Sequence, residues 1–163
     1  MILIAHKGNT NGISNKENDP VYIHDALKQD FDVEIDVWYV DKQFWLGHGR
    51  PQYEIDENFL ENPRLWCHAK NIEALYKMNL NSLIHCFWHQ KDDVTLTSRG
   101  YVWTYPGKEL TLKSICVLPE SISQMDWIQC GYGPGLDGIL GKCAGICSND
   151  LTIYIEALKN VRV

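Results

Sequence analysis

Residues 32–38 read Asp-Val-Glu-Ile-Asp-Val-Trp, and this run constrains the chain more than any other. Apolar and acidic residues alternate with the period of a strand, so Val33, Ile35 and Val37 face one way and Glu34 and Asp36 the other. A strand this apolar on one side belongs in a core. Two carboxylates side by side on its other face repel, and holding them together requires a positive charge, most simply a cation. A polar turn at Asp41-Lys42 follows, and then Phe44-Trp45-Leu46-Gly47-His48, which returns the chain as a hairpin and ends on a proton carrier. A second histidine, His6, closes the opening apolar run Met1-Ile2-Leu3-Ile4-Ala5.

Further strands are expected at Ile2 to Ala5, Leu65 to His68, Ser82 to Phe87, Tyr101 to Thr104, Ser114 to Leu118 and Gly145 to Cys147, with a short one at Gly138 to Leu140. Helical patterns lie between some of them. Asp19-Pro20 is an N-cap followed by a first-turn proline for Val21 to Gln29. Asn71 caps Ile72 to Met78, and Asn149 or Asp150 opens Leu151 to Asn160, where Leu151, Ile155 and Leu158 keep helical spacing. Pro119 opens one turn through Ser123. Residues 90–112 carry no helical pattern; they are polar, aromatic and Gly-punctuated.

Strands alternating with helices predict an α/β architecture with a mainly parallel sheet in one domain, residues 1–163. Eight strand ends fit a compact TIM-barrel-like (β/α) barrel. A full barrel usually takes about 250 residues. Eight units in 163 residues leave about 20 each, barely above the roughly 17 of a mean strand plus a mean helix. Several helices must then be shortened or missing.

The net charge of −6 and the absence of Lys/Arg runs argue against a nucleic-acid partner. A small anionic substrate is compatible with an acidic protein that has a locally positive pocket. No run approaches the roughly 20 apolar residues of a membrane span. The N-terminal run lacks the charged leader of a signal peptide. A cytoplasmic protein is expected. None of the six cysteines forms a Cys-x-x-Cys pair, so reduced core thiols are favoured. Cys143 and Cys147, in Gly-rich surroundings, are the expected exception.

If the early strands are neighbours, His6, Glu34, Asp36, His48, His68 and Lys70 converge at their carboxyl ends. His68 and Lys70 differ by two and share a face. His6 and His48 are each followed by glycine, which lets a ligand approach the backbone. His24 and His85 read as structural, as do Trp38, Trp45 and Trp66. Trp88 and Trp103 near strand ends are candidates to line a head-group pocket, and His89 is a candidate third site histidine.

The ordered set His6-Lys7-Gly8, Glu17-Asn18, Ala26, Glu34-Ile35-Asp36-Val37 and Gly47-His48 resembles the glycerophosphodiester phosphodiesterase family. His68-Ala69-Lys70 is similar in spacing to that family's Glu-x-Lys, and Gly145-Ile146-Cys147-Ser148-Asn149-Asp150 to its closing Gly-Ile-x-Thr-Asp segment. The resemblance is strong across residues 1–50, weaker at 66–70 and near the C-terminus, and absent between.

The resemblance implies a TIM-barrel-like fold and a metal-dependent phosphodiesterase acting on a small phosphodiester. It implies His6 and His48 as general acid and base, Glu34 and Asp36 as ligands of Mg²⁺ or Ca²⁺, and Lys70 on the phosphate. The physics agrees: charge grows on the phosphoryl oxygens as phosphorus is attacked, and cations stabilise it. Three departures bear on the chemistry. Lys7 stands where the family has arginine, losing the bidentate fork. His68 stands where it has a third carboxylate, which disfavours Ca²⁺ and favours Mn²⁺ or Zn²⁺. Glu17-Asn18 runs into Asp19-Pro20, and Glu17 reads as an organiser of the phosphate loop. Two rival readings are a phosphate or head-group binding module without turnover, and a metal-free phospholipase C-like lyase. Sheet edges left bare by missing helices suit a homodimer.

Overall fold

A computed structural model describes residues 1–123 and 138–160, the last by its backbone only. The chain runs β1 (Ile2–His6), α1 (Pro20–Lys28), β2 (Asp32–Val40), β3 (Gln43–Leu46), β4 (Tyr53–Ile55), α2 (Glu57–Leu60), β5 (Leu65–Ala69) and α3 (Ile72–Asn79). It continues through β6 (Cys86–Phe87), β7 (Val94–Leu96), β8 (Val102–Thr104), β9 (Ser114–Val117), a 3₁₀ turn (Pro119–Ser121), β10 (Gly145–Ser148) and α4 (Thr152–Asn160).

The alternating (β/α) barrel expected from the sequence is not what the chain forms. The strands make one curled mixed sheet, an open half-barrel with four short helices among the described residues. Its parallel spine runs β6-β5-β2-β1-β10-β9-β8. Two antiparallel additions break the pattern: β3 and β4 fold back from β2, and β7 pairs with β8. The physical reason lies in chain length. From β6 to β8 the connection is a short strand and turns, with no crossover helix, and β6 itself is two residues long. A barrel wall needs a helix per strand to cover it, and the described residues do not supply them.

β2 is the branching strand. Its first half pairs with β1, its second half with β3 on the same side, and β5 runs along its other edge. The Val33/Ile35/Val37 face packs under the helices with Ala5, Cys67 and Ala69, against Ile23, Ala26 and Leu27 of α1 and Ala74 and Met78 of α3. The opposite, concave face carries a second cluster: Ile4, Trp66, Phe87, Trp103, Ile115, Val117 and Cys147. Register then places polar groups above this plug, because His6 pairs with Glu34 and Asp36 with His68. The concave face is therefore apolar at its base and charged at the strands' carboxyl ends.

The helix signals act as the sequence predicts. Asp19 accepts from the Val21 amide with Pro20 at the first helical position, and Asn71 accepts from Ala74. The expected strand at Gly138 to Leu140 is instead a turn closed by the Lys142 amide on the Ile139 carbonyl. The expected Ser82–Phe87 strand shrinks to Cys86–Phe87. None of the five described cysteines forms a disulfide, Cys143 and Cys147 included; Cys130 lies outside the described residues. Among the described residues, no helix is long and apolar enough to cross a membrane.

Asn71 does two jobs. Beyond capping α3, its Oδ1 accepts from the Tyr39 amide at 3.1 Å and its Nδ2 donates to the Tyr39 carbonyl at 2.8 Å, tying α3 to β2. Asn71→Ala should cost about 1–3 kcal/mol in urea unfolding, the sum of a cap and a strand tether. Asn71→Asp should recover part of that loss, because it keeps the acceptor and drops the donor.

Candidate active site

A cavity of about 470 Å³ opens at the carboxyl ends of the central strands. His6, Lys7, Glu34, Asp36, His48 and His68 line one flank; His89, Trp103, Tyr105, Pro106, Val117, Leu118 and Ser121 line the other. β1 delivers His6, β2 delivers Glu34 and Asp36, and β5 delivers His68. His48 arrives by the hairpin: the Gly47 amide donates to the Asp36 carbonyl, and the Trp38 indole donates to the Gly47 carbonyl at 2.6 Å. Gly47 sits at φ 147°, and a Cβ there would collide with the Arg50 carbonyl.

Asp36 is the hub. Its side chain is 2 % exposed. Oδ2 accepts from His48 Nδ1 at 2.9 Å and from Asn18 Nδ2 at 3.2 Å, while Oδ1 faces His68 Nδ1 at 3.2 Å and Lys70 Nζ at 3.3 Å. Asn18 also takes the Asp36 amide on its own Oδ1 at 2.8 Å, fixing side chain and backbone together. Burial opposes the charge on Asp36, but the His48 and His68 hydrogen bonds and the Lys70 ammonium outweigh it and hold the carboxyl well below its ordinary value.

Glu34 is equally buried, with Oε1 3.6 Å from His68 Nδ1 and Oε2 3.8 Å from His6 Nε2. The Lys7 amide donates to Glu34 at 3.3 Å. Ligand atoms of Glu34, Asp36 and His68 all lie within 4.8 Å of one another, a set that fits a divalent cation. The other nitrogen of His68 supports this. Nε2 lies 2.7 Å from the His89 carbonyl, an acceptor, so Nε2 holds a hydrogen and Nδ1, aimed at the two carboxylates, is the nitrogen that can take a metal ion or a second proton. A backbone acceptor on the far nitrogen is the usual orienting device of a metal-bound imidazole. Without a cation, a proton takes that place. Burial works against an imidazolium here, but the hydrogen bonds and charges of Asp36 and Glu34 prevail and push His68 up to about 9.

The expected site residues divide in three groups. His6, Lys7, Glu34, Asp36, His48, His68, His89 and Trp103 share the cavity. Lys70 approaches Asp36 from beside it, and Glu17 stands behind the wall, its Oε2 3.4 Å from Lys7 Nζ and its Oε1 accepting from Asn9 at 2.8 Å. Trp88 does not line this cavity: it packs against the helix-side core, near Leu75 and Asn79 of α3. His85 is structural as expected, hydrogen-bonded to Thr97 at 2.8 Å and pushed down to about 4 by burial and the charge of Arg99. Sequence reasoning missed the roles of Asn9, Asn18 and Asn149. Asn18 was visible inside Glu17-Asn18, but Asn149 read as a helix cap, and its contact with His6 Nδ1 at 2.9 Å spans the length of the chain. It also missed Pro106, Val117, Leu118 and Ser121, which line the opposite wall with Tyr105, a residue of the aromatic run 101–105 that the sequence offers for a pocket.

The His68 proton has a readable consequence. Its folded-state value of about 9 lies above the ordinary 6.5, so the proton stabilises the fold. That contribution is complete below pH 6.5 and is lost as pH rises through 9. Asp36 acts in the opposite sense, stabilising above its ordinary value of 3.8 and ceasing to do so as pH falls well below it. In excess chelator, the protein's advantage over His68→Gln in urea unfolding should shrink by up to about 3 kcal/mol between pH 6.5 and 9. A constant difference across that window would contradict the bridging proton.

Comparison of the chain with protein-family models, curated proteins and solved structures finds no match.

Proposed function

We propose that the protein cleaves a small phosphodiester, with a divalent cation held by Glu34, Asp36 and His68. One observation carries this reading: a single cavity contains a buried carboxylate pair and two histidines, His6 and His48, each anchored through Nδ1 with Nε2 left for a substrate. When bound, the cation supplies positive charge to the phosphoryl oxygens and to an attacking hydroxyl. The donor set of two carboxylates and one imidazole favours Mn²⁺ or Zn²⁺ over the harder Mg²⁺ and Ca²⁺.

The chain's own residues do the rest. One Nε2 takes the proton of the attacking hydroxyl, and the other returns a proton to the leaving oxygen. Asp36 orients His48 and stabilises it when it becomes charged, as a carboxylate behind an imidazole does. Lys7, held by Glu17, adds positive charge at the cavity wall, and Lys70 does so beside Asp36. The largely apolar wall opposite excludes water from one side of the reacting group.

A second reading is favoured by the bridging proton. His68 as an imidazolium, with Lys70, neutralises the carboxylate pair without any metal. The same two histidines would then use a hydroxyl of the substrate as the nucleophile and release a cyclic phosphate.

The test is hydrolysis of bis-(p-nitrophenyl) phosphate and of glycerophosphodiesters, with Mg²⁺, Mn²⁺ or Zn²⁺ added and in chelator. Cleavage should require metal, and His6→Ala and His48→Ala should each lose about 10²–10⁴-fold in kcat. Cleavage that survives chelator and yields a cyclic phosphate supports the second reading. Full activity in His6→Ala removes both. Phosphate binding by calorimetry with no turnover on any diester would leave a binding pocket.

A further inference from the structure

The wall behind His6 is a chain of hydrogen bonds that ends on a carboxylate no part of the mechanism above uses. Ser14 donates its backbone N–H to Asn9 Oδ1 at 3.1 Å. A backbone amide can only donate, so that atom of Asn9 is oxygen, and the amide nitrogen is the other one. Asn9 Nδ2 donates to Glu17 at 2.8 Å and to Asn149 Oδ1 at 2.9 Å. The Asn149 atom is therefore also an acceptor. His6 Nδ1 lies 2.9 Å from that same oxygen, so it must be the donor. The proton sits on Nδ1, and Nε2 is bare on the side of Glu34 and the cavity.

Asn149 needs an anchor of its own, because it follows the end of β10. Glu120, in the 3₁₀ turn after β9, supplies it. Glu120 Oε1 accepts the Asn149 backbone N–H at 2.9 Å and lies 2.9 Å from Ser148 Oγ. Its Oε2 is 3.3 Å from the hydroxyl of Tyr154, which is fully buried in α4. One carboxylate thus ties together the 3₁₀ turn, the end of β10 and α4, at the residue that touches His6.

We propose that Glu120, acting through Asn149, is a positioning residue that locks His6 in the Nδ1–H tautomer. An unconstrained histidine side chain prefers the opposite tautomer, with the proton on Nε2, where it could not accept one from a substrate. A neutral amide makes the choice without adding a second negative charge beside Glu34. The catalytic meaning of the lock rests on the reading of His6 as a proton carrier; the lock itself does not.

Long-range ¹H–¹⁵N NMR of the imidazole nitrogens in the full-length protein, without substrate, measures the tautomer directly. In the wild type, His6 should be Nδ1–H. Asn149→Ala should lower the Nδ1–H to Nε2–H ratio about fivefold or more, what one ordinary hydrogen bond is worth. Glu120→Ala should lower it as well, and Glu120→Gln, which keeps an acceptor for the Asn149 amide, should restore it. A wild-type His6 that is mainly Nε2–H overturns the proposal without recourse to any variant. So does a ratio unchanged in folded Asn149→Ala or Glu120→Ala. The NMR outcome is independent of turnover, so loss of the phosphodiesterase reading and loss of the lock are separate results.

Discussion

The buried carboxylate of Asp36 is the constraint around which the site is arranged. An ionised carboxyl with almost no exposure survives only if every lone pair finds a donor or a cation. Four side chains from four parts of the chain meet that demand: Asn18 from the loop before α1, His48 from beyond the β2–β3 hairpin, His68 from β5 and Lys70 just after it. The cost of burying one charge thus organises the polar end of the sheet. Glu34 adds a second charge two residues away, and the pair together creates a position that only a proton or a metal ion can fill.

Much of this was legible along the chain, because its strongest signals are local. Alternation in Asp32–Trp38 announces a core strand with acids on one face, and register then does the rest: His6 beside Glu34 and His68 beside Asp36 follow from parallel pairing of β1, β2 and β5. The caps at Asp19 and Asn71 are read from a single residue each, and both act as such. What the sequence hid is non-local. Tyr53–Ile55 and Val94–Leu96 are three-residue strands with little pattern to detect, and their antiparallel pairing turns an expected barrel into an open mixed sheet. Residues 90–112 lack the 3.6-residue period of an amphipathic helix, which itself points away from a crossover helix there. Asn149 was hidden for a different reason: a residue that caps a helix and a residue that orients a histidine look the same in one dimension.

The acid pair and the bridging His68 set the electrostatic character of the pocket inside an acidic protein. With His68 protonated, two imidazolium and ammonium charges face two carboxylates, and Lys7 is balanced by Glu17. The polar flank is close to neutral before any ligand enters. A cation that displaced the proton would add net positive charge to this flank, which suits the anionic diester proposed for it. Proton and metal would compete for one position, which would tie metal occupancy to pH through the same hydrogen bonds that orient the imidazole.

The two flanks of the cavity come from opposite halves of the half-barrel. Proton carriers and carboxylates ride on β1, β2, β5 and the hairpin, whereas Tyr105, Pro106, Val117 and Leu118 hang from the ends of β8 and β9. Tyr105 and Pro106 follow the end of β8 and Leu118 follows β9, so a change of loop there leaves the pairing of β1, β2 and β5 alone. Reshaping that half alters which molecules the mouth admits while the histidines and carboxylates keep their spacing. The two flanks therefore divide the labour: one side can be remodelled for selectivity without disturbing the other.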